Sequence, residues 1–361
     1  MTNLISSSLL LPLLFSFLLS CPLLTKAKNE GSTVNGMFVF GSSLVDNGNN
    51  NFFETTSKAD YLPYGIDYPL GPTGRFSNGK NVIDALSELL KLPGPIPAFL
   101  NPATRDDGVV YGVDYASGGS GILDDTGFVS GRVITLNQQI KNFEEVTLAN
   151  LSTSQSNYLF VIGSGGNDYL LNYFLRNATR QVSLQNFTTN LTQTLSTQIQ
   201  KLHKLGARKF VLISVYPLGC IPLVKKTFSA NQECVDSLNQ AAQLFNSHLK
   251  SLVDVLTPKL PGSSFVYVDE YKIIMDILDS PAANGFNDIN NACCEVPSLA
   301  EGGNGLLCKR NGSTCDDRRG HVFFDGLHPT EKVNCIIARK AWTSRLPTEV
   351  YPINVGELVK L

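Results

Sequence analysis

Short apolar runs alternate with longer amphipathic runs along most of the chain. The strand candidates are 37–40, 109–116, 158–162, 209–215 and 265–268, and the helix candidates are 82–92, 136–149, 184–205, 232–256, the stretch from 271 and 330–342. The length and the apolar spacing of each run distinguish the helices from the strands. Strands that alternate with helices are typical of a parallel sheet covered by helices on both faces. The sequence therefore predicts an α/β fold with five strands.

The first three apolar runs each end in a polar loop that contains glycine. These loops are 41–43, 117–121 and 163–168. The carboxyl ends of parallel strands meet at one edge of the sheet, which is where ligands bind in open α/β sheets. We therefore expect Ser43, Gly119 and Asn167 to lie near one another.

The residue types in these loops suit a hydrolytic site. Ser42 or Ser43 could be a nucleophile, or both could merely cap the segment that follows. Gly119 could turn its N–H into the site, and Asn167 could offer a side-chain amide, so both could stabilise an oxyanion.

A serine nucleophile needs a base, and histidine is the residue that exchanges a proton near neutral pH. His203 and His248 fall inside long helices, and His321 precedes an apolar pair and has a structural interpretation. His328 lies in a turn before the last helix. Asp325, three residues earlier, could hold the other ring nitrogen in the right tautomer. The alternative is that Asp-x-x-His is an accidental turn.

Four blocks of sequence occur in a characteristic order: Phe40–Asn50, Tyr115–Gly119, Gly165–Asp168 and Asp325–Thr330. Together they resemble the blocks of the SGNH hydrolases, and specifically of the plant-type GDSL esterase/lipase family. Two further stretches, 74–79 and 217–220, are also family-like. The resemblance implies a three-layer α/β/α sandwich of the flavodoxin-like SGNH type, with a five-stranded parallel sheet. It implies one domain over 28–361 and no metal or organic cofactor.

The resemblance also implies an activity, the hydrolysis of carboxylic ester bonds through an acyl-enzyme. Ser43 matches the nucleophile, His328 the general base and Asp325 the residue that orients it. Gly119 and Asn167 match the oxyanion-hole residues that assist the Ser43 N–H. The expected substrate is a small-molecule or lipid ester. Two alternatives stay open: an extracellular acyltransferase that uses the same site, and a glycosylated binding protein whose site has decayed.

Three departures from the family pattern bear on these expectations. Ser42 stands where the family usually has Asp, which could change how firmly the nucleophile loop is held. Asp114 stands where Asn is common, and its charge could cost stability if it were buried without a partner. The third block is slightly longer than the common form, which could shift the amide of Asn167. The Gly-x-Ser-x-Gly elbow of the α/β-hydrolases is absent, so that fold is disfavoured.

The amino-terminal segment predicts secretion. Leu9–Leu19 is almost wholly apolar and small residues follow, which is typical of a signal peptide over 1–27 with cleavage after Ala27. A retained anchor is the alternative, although the run is shorter than the roughly 20 residues of a spanning helix. N-glycosylation acceptor patterns occur at Asn150, Asn177, Asn186, Asn190 and Asn311. We therefore expect a glycoprotein of the extracellular space, in the cell wall or apoplast, with no integral membrane segment after cleavage.

Cysteine usage agrees with secretion. Of eight cysteines, Cys21 would leave with the signal peptide, so seven remain and one thiol is left over. A zinc site is conceivable from Cys293, Cys294, Cys308, Cys315 and His321, but disulfides are the better interpretation in a secreted chain. The expected bridges are Cys220–Cys234, and Cys293 and Cys294 with Cys308 and Cys315 in an open order. Cys335 is the candidate for the unpaired thiol.

Composition excludes one class of partner. The formal net charge is −2, so the chain has no electrostatic footprint for nucleic acid. Hydrophobic residues make up 43% and charged residues 17%, as in a globular chain. The oligomeric state does not follow from these numbers.

Overall fold

The computed structural model describes residues 34–106, 110–147, 154–174 and 181–361. Its strands are β1 (Gly36–Gly41), β2 (Tyr158–Gly163), β3 (Lys209–Ile213), β4 (Ser264–Val268), β5 (Asp288–Ala292), β6 (His321–Phe323) and β7 (Val350–Tyr351). Its α-helices are α1 (Val82–Leu89), α2 (Pro102–Asp106), α3 (Leu136–Asn142), α4 (Leu184–Lys204), α5 (Pro222–Phe228), α6 (Asp236–Lys259), α7 (Glu270–Asp279), α8 (Glu331–Thr343) and α9 (Val355–Leu358).

The main sheet has five strands in the order β1-β2-β3-β4-β7. The first four run parallel, and Val39, Val161, Val211 and Val266 lie side by side across them. The fifth strand, β7, is antiparallel to β4 and pairs Tyr351 with Tyr267. The α/β fold with a five-stranded sheet is confirmed, with this one strand reversed. The sequence pattern missed β7 because two residues are too few for any periodicity to register.

The predicted strand at 109–116 is not a strand of the sheet. Its described part lies beside β1, where Tyr115 N donates to the carbonyl of Val39 at 2.8 Å, and a single parallel bridge joins Val39 to Asp114. Gly112 has φ of +100°, and a side chain there would meet the carbonyl of Met37. This backbone conformation, which glycine adopts readily, interrupts the extended segment. The segment nevertheless takes the edge position next to β1.

Helices cover both faces of the sheet. Strands β1 and β2 are buried almost throughout, which requires cover on each side. One helix group consists of α3, α4 and α6, and the other of α1, α7, α8 and α9; each packs chiefly within itself. The arrangement is the three-layer α/β/α sandwich that the resemblance implies.

Helix boundaries follow local capping. At the start of α1, the side chain of Asn81 accepts from the N–H groups of Ile83 and Asp84, and Asp84 accepts from Asn81 N. This capping box satisfies backbone donors that a helix terminus otherwise leaves unpaired. The helix predicted over 136–149 is shorter, because α3 passes into a π-helix at Phe143–Thr147.

The structure shows which cysteines pair with one another, which the sequence left undecided for four of them. Cys220 pairs with Cys234, Cys293 with Cys315 and Cys294 with Cys308. The expectation of a free thiol at Cys335 is wrong, because this residue is disulfide-bonded.

Surface features bear on the secretion hypothesis. Asn186 and Asn190 are exposed on α4, and Asn311 is exposed in a loop. Asn150, Asn177 and the predicted signal peptide lie outside the described residues. Within the described ranges, no helix is both long and apolar enough to cross a membrane.

Candidate active site

Ser43, His328 and Asp325 form a continuous chain of contacts. His328 Nε2 lies 2.8 Å from Ser43 Oγ, although 285 positions separate the two residues. On the other side of the ring, His328 Nδ1 lies 2.8 Å and 3.0 Å from the two carboxylate oxygens of Asp325. All three side chains are buried. A proton on Nδ1 held by Asp325 leaves Nε2 free to accept the Ser43 proton, which is the tautomer that a general base requires.

The Asp325 carboxylate is held by more than the histidine. It accepts hydrogen bonds from the backbone N–H groups of Leu327 and His328 at 2.8 and 2.6 Å. The phenol of Tyr64 donates to it at 2.6 Å. Tyr64 lies in the proline-containing loop between β1 and α1, and no sequence pattern singled it out. The tight turn at 325–328 therefore both shapes the backbone and points the carboxylate at the imidazole.

An aromatic side chain packs against the imidazole ring of His328. The ring of Phe76 lies 4.9 Å from the ring of His328, centroid to centroid. Arg75, which precedes Phe76 in the chain, makes a bidentate ion pair with Asp84 on α1, with N–O distances of 2.6 and 2.7 Å. The family-like stretch 74–79 thus connects the base to the helix layer.

The loop that carries Ser43 is held by backbone bonds and by one carboxylate. Ser42 N donates to the carbonyl of Gly163 at 3.0 Å, and Val45 N donates to the carbonyl of Ser42 at 3.1 Å. Asp46 accepts from the N–H groups of Gly48 and Asn49, and also from Gly118 N at 2.9 Å in the neighbouring loop. The loop is therefore anchored although Ser42 replaces the usual aspartate.

Asp114 faces the same loop, and it is fully buried. Its carboxylate accepts from Asn47 N at 2.8 Å and from Ala116 N at 2.7 Å. Burial, and then the charge of Asp46, raise the pKa of Asp114 well above its ordinary value. Burial also raises the pKa of Asp46, against three backbone hydrogen bonds that lower it. Two carboxyl groups share one buried site, so the charge of Asp46 disfavours ionisation of Asp114.

Ser43 and Gly119 each offer a backbone N–H group in the polar loops. Among the described residues, neither the N–H of Ser43 nor that of Gly119 has a hydrogen-bond acceptor. Gly119 has φ of +85°, in the region that glycine adopts without strain. A Cβ there would come within 3.1–3.2 Å of Ser57, Ser130 and Val133. Free N–H groups at such positions are able to stabilise a developing oxyanion.

The amide of Asn167 comes from the third loop. One of its N–H groups donates to the carbonyl of Ser120 at 2.9 Å, which links the second loop to the third. The next residue, Asp168, accepts from the N–H groups of Ile122 and Leu123 and from the Thr126 hydroxyl. These bonds tie the Gly119 loop to the end of β2. Burial nevertheless raises the pKa of Asp168 to about 6.

A cleft opens beside Ser43 at the carboxyl edge of the sheet. It is lined in part by Ser43 and Asn167, and it is partly open to solvent. Glu270, the first residue of α7, also lines it. The three polar loops thus converge at the edge of the sheet where the topology predicted them.

The other candidate residues lie elsewhere. His203 and His248 are half-buried and contact Pro261 and Gln185 respectively. His321 approaches Asp288 at 3.5 Å and lies near the sulfurs of Cys293 and Cys315. Those two cysteines are joined to each other. Because a disulfide offers no thiolate, this group does not fit a zinc site.

Comparisons with known proteins agree over nearly the whole chain. The family model described as GDSL-like Lipase/Acylhydrolase matches residues 37–341. The chain is similar to GDSL esterase/lipase At1g71250 of Arabidopsis thaliana, with 40% identity covering 98% of this chain and 96% of the relative. It is also similar to GDSL esterase/lipase 7 of the same plant, with 41% identity covering 90% of this chain and 92% of the relative.

Proposed function

The chain belongs to the GDSL-like lipase/acylhydrolase family and is a carboxylic ester hydrolase; from this premise we propose that it acts through an acyl-enzyme on Ser43. The observation that carries the proposal is the 2.8 Å contact between His328 Nε2 and Ser43 Oγ. A base at hydrogen-bond distance from a serine hydroxyl is the arrangement that activates this nucleophile.

The first half of the proposed reaction forms the acyl-enzyme. Ser43 Oγ attacks the ester carbonyl carbon while His328 Nε2 takes its proton. The negative charge on the carbonyl oxygen is stabilised by the N–H groups of Ser43 and Gly119 and by the amide of Asn167. The ester C–O bond then breaks, and His328 gives its proton to the departing alcohol.

The second half returns the enzyme to its starting state. Water attacks the acyl carbon and gives its proton to His328, the bond to Ser43 Oγ breaks, and His328 returns the proton to Ser43. Asp325 stabilises the imidazolium that exists between these transfers. None of these steps needs a metal or an organic cofactor.

A labelling experiment tests the nucleophile. We expect a fluorophosphonate to modify Ser43, and peptide mapping to find the label there and not on Ser42. Ser43→Ala should abolish both labelling and hydrolysis of p-nitrophenyl esters, whereas Ser42→Ala should keep both. Label on Ser42, or hydrolysis that survives Ser43→Ala, would refute the assignment. Esters of rising acyl length would then define chain-length preference.

We further propose that the protein is secreted, with residues 1–27 removed as a signal peptide and 28–361 forming the enzyme domain. Three observations support this: disulfides such as Cys294–Cys308, the exposed acceptor asparagines Asn186, Asn190 and Asn311, and the apolar amino-terminal run. Expression in plant cells should place the protein in the extracellular fluid. Amino-terminal sequencing should begin at Lys28, and a glycosidase that removes N-glycans should lower its mass. Intracellular retention of the uncleaved chain would contradict the proposal.

A further inference from the structure

The cleft beside Ser43 has a polar wall that the proposed mechanism uses only in part. The hydroxyl and carboxyl side chains that line it are those of Ser42, Ser43, Ser164, Ser214, Tyr216 and Glu270. The same cleft also has apolar sides, formed by residues such as Val45 and Val215. The site therefore combines surface for a carbon skeleton with groups that hydrogen-bond.

Two of these polar groups lack a hydrogen-bond partner among the described residues. Glu270 is 2% exposed, and its carboxyl makes no hydrogen bond with any described residue. The hydroxyl of Ser164 is fully buried and also unpaired within the described chain. Buried polar groups in folded proteins are nearly always hydrogen-bonded, so exceptions that face one open space need an explanation. A ligand that enters the cleft would supply the missing partners.

The protonation states of Glu270 and Tyr216 indicate which functional group such a ligand would carry. Burial, and then the charge of Asp269, raise the pKa of Glu270 to about 8. Burial, and then the charges of Glu270 and Asp325, raise the pKa of Tyr216 well above its ordinary value. At a pH below both pKa values, Glu270 and Tyr216 are neutral, and each offers a hydrogen-bond donor as well as an acceptor. A hydroxyl group, which also donates and accepts, matches such a wall.

Other occupants fit less well. An unsubstituted alkyl chain would cover Glu270 and Ser164 and leave their hydrogen bonds unmade, which is unfavourable in a buried site. A cation would require the Glu270 carboxyl to ionise at the pH where burial keeps it protonated. The apolar sides at Val45 and Val215 allow carbon atoms to accompany the hydroxyl.

We propose that the cleft between Ser43 and Glu270 binds a hydroxyl-bearing part of the ester substrate, so that hydroxylated esters are cleaved in preference to plain alkyl esters. This inference rests on the proposed function, because it places the hydroxyl beside the ester that Ser43 attacks. The hydroxyl could belong to the alcohol, as in a polyol ester, or to the acid, as in a hydroxyacyl ester. Both sources present the same group to Glu270 and Ser164.

Matched substrate pairs test the proposal and separate the two sources. Glyceryl monobutyrate is compared with propyl butyrate for the alcohol side, and ethyl 3-hydroxybutyrate with ethyl butyrate for the acyl side. We expect kcat/KM of the hydroxylated member to be higher by about tenfold in one pair, the effect of one good hydrogen bond. Equal values within both pairs would overturn the proposal.

Substitutions test whether Glu270 and Ser164 cause the preference for hydroxylated esters. Glu270→Met should bring the ratio close to one, whereas Glu270→Gln should keep most of it, because its neutral amide still donates and accepts. Ser164→Ala, a smaller change, should lower the ratio by about threefold. Tyr271→Phe is the matched control. Tyr271 follows Glu270 on α7, but its hydroxyl contacts Gln243. Loss of this hydroxyl should leave both the activity and the ratio unchanged. A purely structural role of Glu270 would lower both members of a pair equally, and that result would overturn the proposal.

Two further measurements distinguish a cation site, and a failure of the proposed function, from a failure of the inference about the cleft. If butyrylcholine is preferred over both hydroxylated esters and Glu270→Gln abolishes this preference, the cleft binds a cation and the proposal is wrong. Fluorophosphonate labelling of Ser43 is measured in every variant. A wild-type protein that is not labelled and hydrolyses no ester contradicts the proposed function itself. A labelled, active protein without preference contradicts only the inference about the cleft.

Discussion

The phenol of Tyr64 donates a 2.6 Å hydrogen bond to the carboxylate of Asp325, across 261 positions of sequence. The same phenol oxygen accepts from the backbone N–H of Cys308 at 3.1 Å. Tyr64 is fully buried, and a disulfide joins Cys308 to Cys294. The carboxylate proposed to orient His328 is thus held from outside its own turn by Tyr64, which itself contacts a disulfide-bonded residue.

Tyr64→Phe should lower kcat by about tenfold, because Asp325 loses a hydrogen bond to its charged form and holds the imidazole less firmly. The measurement is steady-state hydrolysis of p-nitrophenyl acetate. Tyr61→Phe is the matched control, since its hydroxyl donates to the Cys308 carbonyl at 2.8 Å and does not contact Asp325. Equal losses of kcat in the two variants would show that Tyr64 only supports the loop.

Asp325→Asn should lower kcat by about 10⁴-fold, because the asparagine amide can present an N–H to Nδ1 and favour the wrong tautomer of His328. Thermal unfolding should show that the variant remains folded at the assay temperature. Asp288→Asn, beside His321, is the control and should keep full activity. Near-normal kcat in folded Asp325→Asn would mean that the carboxylate only shapes the turn.

Asn167→Ala should lower kcat by about 10²–10³-fold with KM nearly unchanged, as expected for one lost oxyanion donor. Both constants come from initial rates over a range of ester concentrations. The exposed Asn137, which bonds Asp124 at the surface, provides a control variant, Asn137→Ala. A change confined to KM would instead assign Asn167 to ground-state binding.

Asp114→Asn should flatten the dependence of stability on pH. In the folded state the pKa values of Asp114 and Asp46 are raised above those of an unfolded chain. The folded protein therefore binds more protons than the unfolded one, and its stability falls as pH rises from about 4. Without the Asp114 carboxyl, Asp46 ionises more easily and less stability is lost.

The measurement is Tm at intervals between about pH 4 and about pH 8. Wild type should lose Tm across this interval, and Asp114→Asn should lose less, even if its Tm is lower throughout because one backbone N–H loses its acceptor. Asp276→Asn on the surface of α7 should follow the wild-type slope. Parallel curves for wild type and Asp114→Asn would contradict the buried-pair explanation.

The disulfides allow stability and activity to be separated. Cys294–Cys308 and Cys220–Cys234 both span 14 positions, so their loss should cost similar stability, about 3 kcal/mol in the loop-entropy model. Only the first lies against Tyr64. The double alanine variant of Cys294 and Cys308 should therefore lose kcat, whereas that of Cys220 and Cys234 should keep it. Equal effects on kcat would remove the proposed link between the disulfide and the site.

Local patterns were enough to predict most of the scaffold. Apolar runs such as 158–162 became parallel strands, and the helix predicted over 82–92 contains α1. The pattern did not predict β7, which is two residues long, or the interruption of the edge segment at Gly112. Both depend on which neighbours the backbone finds across the sheet, and this information is not local.

The chain order of the four blocks determined the family and named the residues for the proposed triad and oxyanion hole. It also determined that three polar loops share one edge, since parallel strands end on the same side. Only the tertiary structure placed His328 Nε2 beside Ser43 Oγ and brought Tyr64 to Asp325. It alone shows Glu270 at the cleft without a hydrogen bond to any described residue. Hydrogen bonds and burial depend on distances of a few ångströms between residues far apart in sequence, and no local pattern encodes those distances.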